Sequence, residues 1–230
     1  MPIQRASFSP YYSRANQATH RMSFPRATPG QLIVAVWSSG STYASAAPGT
    51  WTSRSTAVDF CEVRMLEKVA TGNETYIDVT VNASTTLGGG VLIYSYVAAS
   101  PFDVQASANT NGASPVTGTT GSTAQADSVA VAIIANVQSQ TYSAVTNSFT
   151  TVAALAIAPG TTDFCLVLEK VLTATGTQSS GATSGSVHHS GCIAVFKGGN
   201  LGIPEPAQAK ERLIIGGPES LPRTIPPWGM

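Results

Sequence analysis

The sequence predicts an all-β protein, an antiparallel sandwich of two sheets built from two similar halves. Three observations support this prediction. One apolar stretch occurs twice, Gly- and Asn-containing turn signals recur between runs rich in β-branched residues, and no window carries the spacing of an amphipathic helix. The abundant Thr, Ser, Val and Gly residues also disfavour helices.

The repeated stretch reads DFCEVRMLEKV from Asp59 and DFCLVLEKV from Asp163, and its flanks repeat as well. The matching segments are QLIVAVW (31–37) with SVAVAII (128–134), GSTYASA (40–46) with SQTYSAV (139–145), LEKVATGNET (66–75) with LEKVLTATGT (168–177), and GGVLIYSYV (89–97) with SGCIAVFKG (190–198). Between the DFC and LEK triplets the copies differ by an even number of residues, so the side chains keep their faces along a strand.

This pattern predicts one sandwich over residues 1–198, with similar halves at 29–97 and 126–198 and a crossover at 98–125. One half alone would leave an apolar face in water, so we expect the halves to share one core. Two equivalent halves of four or five strands favour a jelly roll, in which two Greek keys wind around each other.

Individual elements follow from local patterns. In the first copy Cys61, Val63 and Met65 alternate with charged residues, which is typical of a half-buried strand. The glycines at 88–90 predict a tight turn or bulge. The crossover is predicted to be loop-like, apart from an edge strand near Phe102–Ala106.

The C-terminal segment 199–230 has a different composition, rich in proline and in charged residues. Proline cannot join a sheet interior, yet the segment is too apolar for a solvated linker. We therefore predict an extended arm that binds either its own domain or a neighbouring subunit. Its anchoring side chains would be Leu213, Ile214, Ile215, Ile225 and Trp228.

Composition narrows the function classes. Charged residues make up 10% of the chain, and twelve basic residues balance twelve acidic ones. Without a basic field, nucleic acid is not an expected partner. No apolar run has the length of a membrane helix, so membrane insertion is not expected, and the N-terminus lacks the apolar region of a signal peptide. Cys61, Cys165 and Cys192 lie in apolar runs and are predicted to be buried free thiols, made in a reducing cytoplasm.

Few residues suggest chemistry. The pairs Glu67-Lys68 and Glu169-Lys170 recur at matching positions and are interpreted as solubilising charges at strand ends, although two carboxylates can also serve a glycosidase. His188, His189 and Cys192 contain metal-ligand types, but they lack a fourth ligand nearby. No catalytic, metal or cofactor site is therefore predicted.

Aromatic residues offer one further possibility. Trp37, Trp51, Tyr43 and Tyr142 could form a platform on which a sugar stacks, although a role in the core or on a sheet face fits them better.

Four motifs resemble structural proteins of tailed bacteriophages, particularly phages of actinobacteria. They are ATPGQLIVAVW (27–37), PGTW (48–51), EKVATGNET (67–75) and VLIYSYVAASPFDVQASA (91–108). The resemblance covers about residues 29–198 and implies a jelly-roll virion protein without enzymatic activity, made in the host cytoplasm. It would bind copies of itself and other virion proteins.

A minor tail or tail-tip component is the first expectation from this resemblance, and a capsid decoration or head fibre is the alternative. A module that adsorbs to host-surface glycan is a third possibility. The Pro-rich C-terminus is not part of the family pattern, so the resemblance says nothing about the arm.

Overall fold

A computed structural model describes residues 3–13, 15–136, 141–156 and 164–199, and this part of the chain contains strands and no helix. The all-β prediction is therefore confirmed. The strands are β1 (Gln4–Tyr12), β2 (Gln17–Ser23), β3 (Leu32–Ser39), β4 (Tyr43–Ala47), β5 (Thr52–Val58), β6 (Glu62–Val69), β7 (Tyr76–Thr85), β8 (Leu87–Ser95), β9 (Val97–Gly112), β10 (Ser128–Asn136), β11 (Thr150–Ala156), β12 (Phe164–Leu172) and β13 (Val187–Gly198).

These strands form three antiparallel sheets. The first sheet has the order β1-β8-β3-β6-β5, and the second has the order β11-β12-β10-β13-β9. A small sheet, β2-β7-β4, completes the arrangement. Among the described residues, no helix is long and apolar enough to cross a membrane.

The two large sheets repeat one strand order. Replacing β1, β8, β3, β6 and β5 by β9, β13, β10, β12 and β11 converts the first sheet into the second. The register repeats as well, since Leu32 lies between Val69 and Tyr94 as Val129 lies between Val171 and Phe196. Tyr94 therefore corresponds to Phe196, one residue beyond the position given by the sequence alignment of this last strand. That single residue decides which face of the sheet a side chain occupies.

A central apolar layer joins the first sheet to the second. Its fully buried members include Val34, Val36 and Leu92 from the first sheet and Val131, Val167 and Ala194 from the second. The two halves thus share a core, as the sequence predicted. Each buried Val or Leu side chain contributes about 1.5–3 kcal/mol through its burial, which makes this layer the main contact between the halves.

The prediction of one shared core is nevertheless incomplete, because the outer faces of both large sheets are also buried. Ile33, Ala35 and Trp37 of the first sheet pack against the small sheet. On the second sheet, Ile134 and Leu168 are covered by Phe149, Ala182 and neighbouring loop residues. Strands buried on both faces read as continuous apolar runs, which explains why β3 and β10 show no polar alternation.

Two local predictions are wrong. The glycines at 88–90 lie inside strand β8, where their missing side chains let neighbouring strands approach closely. The crossover is not mainly a loop, since β9 extends over sixteen residues and pairs with β13. Its polar residues are compatible with a strand because β9 lies at a sheet edge, where alternate side chains reach water.

Candidate functional site

A cleft of about 640 Å³ lies beside strands β5, β6 and the start of β9. We call it the β5–β9 cleft. Its lining consists of Thr50, Thr52, Arg54, Glu67, Lys68, Val69, Thr71, Ala99, Ser100, Pro101 and Phe102. The position follows from the stacking of the sheets, which brings β5 of the first sheet against β9 of the second.

Glu67 is the buried ionisable group of this cleft. Its Oε1 accepts a hydrogen bond of 2.7 Å from Nε of Arg54 and a second one from the same guanidinium group. Its Oε2 is enclosed and has no hydrogen-bond partner among the described residues. Burial raises the pKa of Glu67, and the bonds from Arg54 offset part of that effect.

Arg54 connects the two halves at this edge. Its guanidinium carbon lies 4.3 Å from the centre of the Phe102 ring, while its nitrogens bind Glu67. One side chain from β5 therefore holds a carboxylate of β6 and the aromatic face of β9. Arg54 could not be recognised from the sequence, because nothing in the local pattern pairs it with a residue of the other half.

Glu169 corresponds to Glu67 in the second half, but it has different partners. Its Oε2 accepts a hydrogen bond of 2.6 Å from the hydroxyl of Tyr94, and its Oε1 lies 3.4 Å from Nη1 of Arg5. Burial, and next the nearby carboxylate, raise the pKa of Tyr94. Tyr94 and Arg5 come from β8 and β1, at the opposite edge of the first sheet from β5.

The sequence interpretation of these two carboxylates as solubilising charges is therefore wrong. Only 5% of Glu67 is exposed, and the side chain of Glu169 is 12% exposed. Glu67 binds Arg54 of its own sheet and Glu169 binds Arg5 of the facing sheet, so the structure gives them separate partners and not a common site. Glu169 joins the two sheets directly, whereas Glu67 binds Arg54, which in turn contacts Phe102 of the second sheet.

Lys68 also has a structural partner. Its Nζ lies 3.0 Å from Oε1 of Glu74. The Glu74 carboxylate also accepts hydrogen bonds from the backbone N–H groups of Thr71, Gly72 and Asn73. Burial alone would raise the pKa of Glu74, but the hydrogen bonds from Thr71 and Lys68 outweigh it and lower the pKa far below its usual range. The pair closes the turn after β6, and Lys68 also lines the β5–β9 cleft.

The candidate metal ligands lie apart. His188 is partly exposed, stacks on Phe60 at 4.3 Å between ring centres, and places Nδ1 3.0 Å from Asp59. His189 points to the other face, where it is buried and contacts the hydroxyl of Tyr142 at 3.3 Å. Among the described residues, no group of three His, Cys, Asp or Glu side chains could hold a metal ion.

The cysteines behave as predicted, since all three are buried free thiols. Burial raises the pKa of Cys165 and of Cys192 to about 12. At neutral pH these thiols are therefore protonated and unreactive.

The four aromatic residues do not form one platform. Trp37 is fully buried and packs on Tyr43 at 5.8 Å, and Tyr142 belongs to the second half. Trp51 is partly exposed, donates a hydrogen bond of 3.1 Å to the carbonyl of Pro48, and has Lys68 5.9 Å from its ring centre. Of the two tryptophans, Trp51 alone offers an accessible ring.

The predicted anchors Leu213, Ile214, Ile215, Ile225 and Trp228 lie outside the described residues, so the arm stays a prediction. No protein-family model, curated protein or solved structure matches this chain. The β5–β9 cleft combines a cavity with a buried acceptor that has no partner among the described residues.

Proposed function

We propose that this chain is a non-enzymatic structural protein of a tailed-bacteriophage virion, most simply a minor tail or tail-tip component. The observation that supports it best is the continuous apolar layer between two equivalent sheets, which makes a rigid block. The resemblance of the motifs at 27–108 supplies the phage assignment.

Hydrogen bonds from side chains to backbone carbonyls reinforce this block. Ser55 donates a hydrogen bond of 2.8 Å to the carbonyl of Ala106, and Ser190 donates one of 2.8 Å to the carbonyl of Cys61. Both bonds join one half to the other. Only 10% of the residues are charged, so the surface repels its neighbours weakly. A weakly charged surface suits close packing against neighbouring subunits.

The test is the location of the chain in purified particles. Particles would be separated into head and tail fractions and each fraction analysed by quantitative mass spectrometry. Enrichment in the tail fraction is the expected result. Enrichment in the head fraction would favour the alternative, a capsid decoration or head fibre. Presence in the infected lysate together with absence from particles would refute a virion role.

The arm has a separate test within this proposal. A chain that ends at residue 198 would be supplied in place of the full chain during infection. We expect the truncated chain to be soluble but missing from particles, because anchors such as Ile214 and Trp228 are gone. Incorporation at the level of the full chain would contradict the proposed role of the arm.

Adsorption to host-surface glycan is the second candidate, and the accessible ring of Trp51 beside the β5–β9 cleft favours it. Binding to host envelope fractions should then be lost in Trp51→Ala. Trp37 is unsuitable as a probe because its ring is fully buried. Failure of the intact protein to bind any envelope fraction would eliminate this function.

We further infer that each half is a small jelly roll of its own. In the first half the order β1-β8-β3-β6-β5 faces the order β2-β7-β4, so successive strands alternate between facing sheets except at β5, which pairs with β6 in the first sheet. In the second half, bridges between Val116 and Gly181 and between Ser143 and Thr183 occupy the place of the small sheet. The two halves would then be stacked back to back.

A further inference from the structure

Three cavities lie together at one end of the molecule, which we call the crossover end and define by residues 26–31, 67–73 and 95–102. Besides the β5–β9 cleft, they measure about 380 Å³ and about 200 Å³. The cavities share walls, since Thr71 lines the first two and Thr28 and Pro29 line the last two. The crossover end therefore presents three adjoining cavities on one continuous surface.

The C-terminal segment starts at this same end. The N–H of Gly199 donates a hydrogen bond of 2.8 Å to the carbonyl of Tyr96, and Tyr96 lines the smallest cavity. A Cβ atom on Gly199 would lie 2.3 Å from the carbonyl oxygen of Val97, so only glycine permits this approach. The last described residue is thus held against the crossover, directly beside the cavities.

The cleft has the features of a surface that lacks its partner. Val69, at the end of β6, is an apolar side chain that is 38% exposed in the cleft wall. Pro101 and Phe102 add further apolar surface. Glu67 contributes an enclosed carboxylate oxygen without a hydrogen-bond donor among the described residues. Because this oxygen has no accessible surface, a docked segment would cover the apolar wall of the cleft and would not bind Oε2 of Glu67.

We propose that in the free protein residues 200–230 bind the crossover end of their own chain, with the β5–β9 cleft as the principal contact. The segment carries apolar side chains such as Ile214 and Trp228, which suit the apolar cleft wall. Extended, it reaches about 100 Å, far more than this surface requires. Tethering at Gly199 raises the local concentration of the segment to the millimolar range, which favours its own chain over another copy.

This inference rests on the proposed function only in treating 200–230 as a binding segment. Its test is photo-crosslinking of the full chain. Val69→Cys would carry a thiol-linked benzophenone, which reacts selectively because the three native cysteines are buried. Val171→Cys is the matched control. Val171 pairs with Val129 as Val69 pairs with Leu32, and it is 48% exposed.

The expected result is a crosslink from position 69 to peptides of 200–230, at least fivefold more abundant than from position 171. An equal mixture of ¹⁵N-labelled and unlabelled protein identifies the chain of origin, because crosslinks within one copy contain no mixed pairs. Mixed pairs would overturn the assignment to the same chain. Equal yields from positions 69 and 171 would overturn the docking surface itself.

A second probe position keeps the test decisive if Val69→Cys does not fold. Ser100→Cys places the same reagent on an exposed residue of the cleft wall. We expect the same peptides from this position, and their absence would refute the proposal. Incorporation into virions is measured separately, so a negative crosslinking result leaves the proposed function standing.

Discussion

The hydroxyl of Tyr94 in β8 donates a hydrogen bond of 2.6 Å to Oε2 of Glu169 in β12, so one buried side chain joins the first sheet to the second. Phe196 occupies the corresponding position in the other half, since it pairs with Val129 as Tyr94 pairs with Leu32. Phenylalanine has no hydroxyl, and Oε2 of Glu67 has no partner among the described residues. The two halves therefore share this strand pairing but differ in hydrogen bonding, since Oε2 of Glu169 has a hydroxyl donor and Oε2 of Glu67 has none among the described residues.

Tyr94→Phe should lower the free energy of unfolding by about 1.5–3 kcal/mol, because it removes a hydrogen bond to a largely buried carboxylate. Urea unfolding followed by tryptophan fluorescence measures this change. Tyr76→Phe is the control, since its ring keeps the contact with Arg21 and we expect less than about 0.5 kcal/mol. Equal effects of both substitutions would mean that the bond between the sheets is unimportant.

Phe196→Tyr should supply the missing donor on the other side of the central layer. We expect the pKa of Glu67 to fall, since a hydrogen bond to the charged form favours that form. A ¹³C NMR titration of the Glu67 carboxyl group measures this pKa directly. The added oxygen must fit a fully buried site, so a loss of stability above about 3 kcal/mol would show that the hydroxyl does not reach Glu67.

Arg54→Met should destabilise the protein by about 3 kcal/mol at pH 8, because it leaves Glu67 buried without its charge partner. The pKa of Glu67 is already raised by burial, so the folded chain binds its proton more tightly than the unfolded chain. Stability from this group is present at low pH and declines as the pH rises above about 4.5. The loss in Arg54→Met should thus be smaller at pH 4.5 than at pH 8.

The double variant Arg54→Met with Glu67→Gln separates this electrostatic effect from lost packing. Without the carboxylate, most of the destabilisation at pH 8 should disappear. If the double variant is as unstable as Arg54→Met alone, the contact of Arg54 with Phe102 carries the effect instead.

His20 should make the protein less stable in mild acid. Its ring is fully buried and its Nε2 has no hydrogen-bond partner among the described residues. Burial lowers the pKa of His20 below its ordinary value of 6.5, although backbone contacts oppose this. The unfolded chain therefore binds a proton more readily, and stability is lost as the pH falls below about 6.5.

His20→Met should flatten this decline between pH 6.5 and pH 5, because methionine fills a similar volume without ionising. Urea unfolding at several pH values measures the slope. His188→Gln, at a partly exposed position, is the control. An unchanged slope in His20→Met would show that protonation of this ring is not coupled to folding.

Gly89→Ala should destabilise the protein by at least about 3 kcal/mol, since the added Cβ atom would lie 2.0 Å from the carbonyl oxygen of Val36 in the neighbouring strand. Gly121→Ala is the control, because its Cβ atom meets no atom closer than 3.9 Å. Thermal unfolding of both variants measures the difference. Similar melting temperatures would mean that β8 and β3 can move apart at no cost.

The sequence by itself determined the features that depend on local pattern. The apolar runs of β3 and β10, the repeated strands β6 and β12 and the three buried cysteines could all be predicted, because side-chain periodicity and burial propensity act over a few residues. The two halves could also be recognised as similar, since each repeats the same order of such runs.

The tertiary structure decided which residues meet across long distances in the chain. Glu67 and Glu169 are equivalent in the sequence, yet one binds Arg54 and the other binds Tyr94 and Arg5. The number of apolar layers also depends on tertiary packing, because the second face of β3 becomes buried only when β7 packs against it. Burial, ion pairing and pKa depend on neighbours that the chain brings together only when it folds.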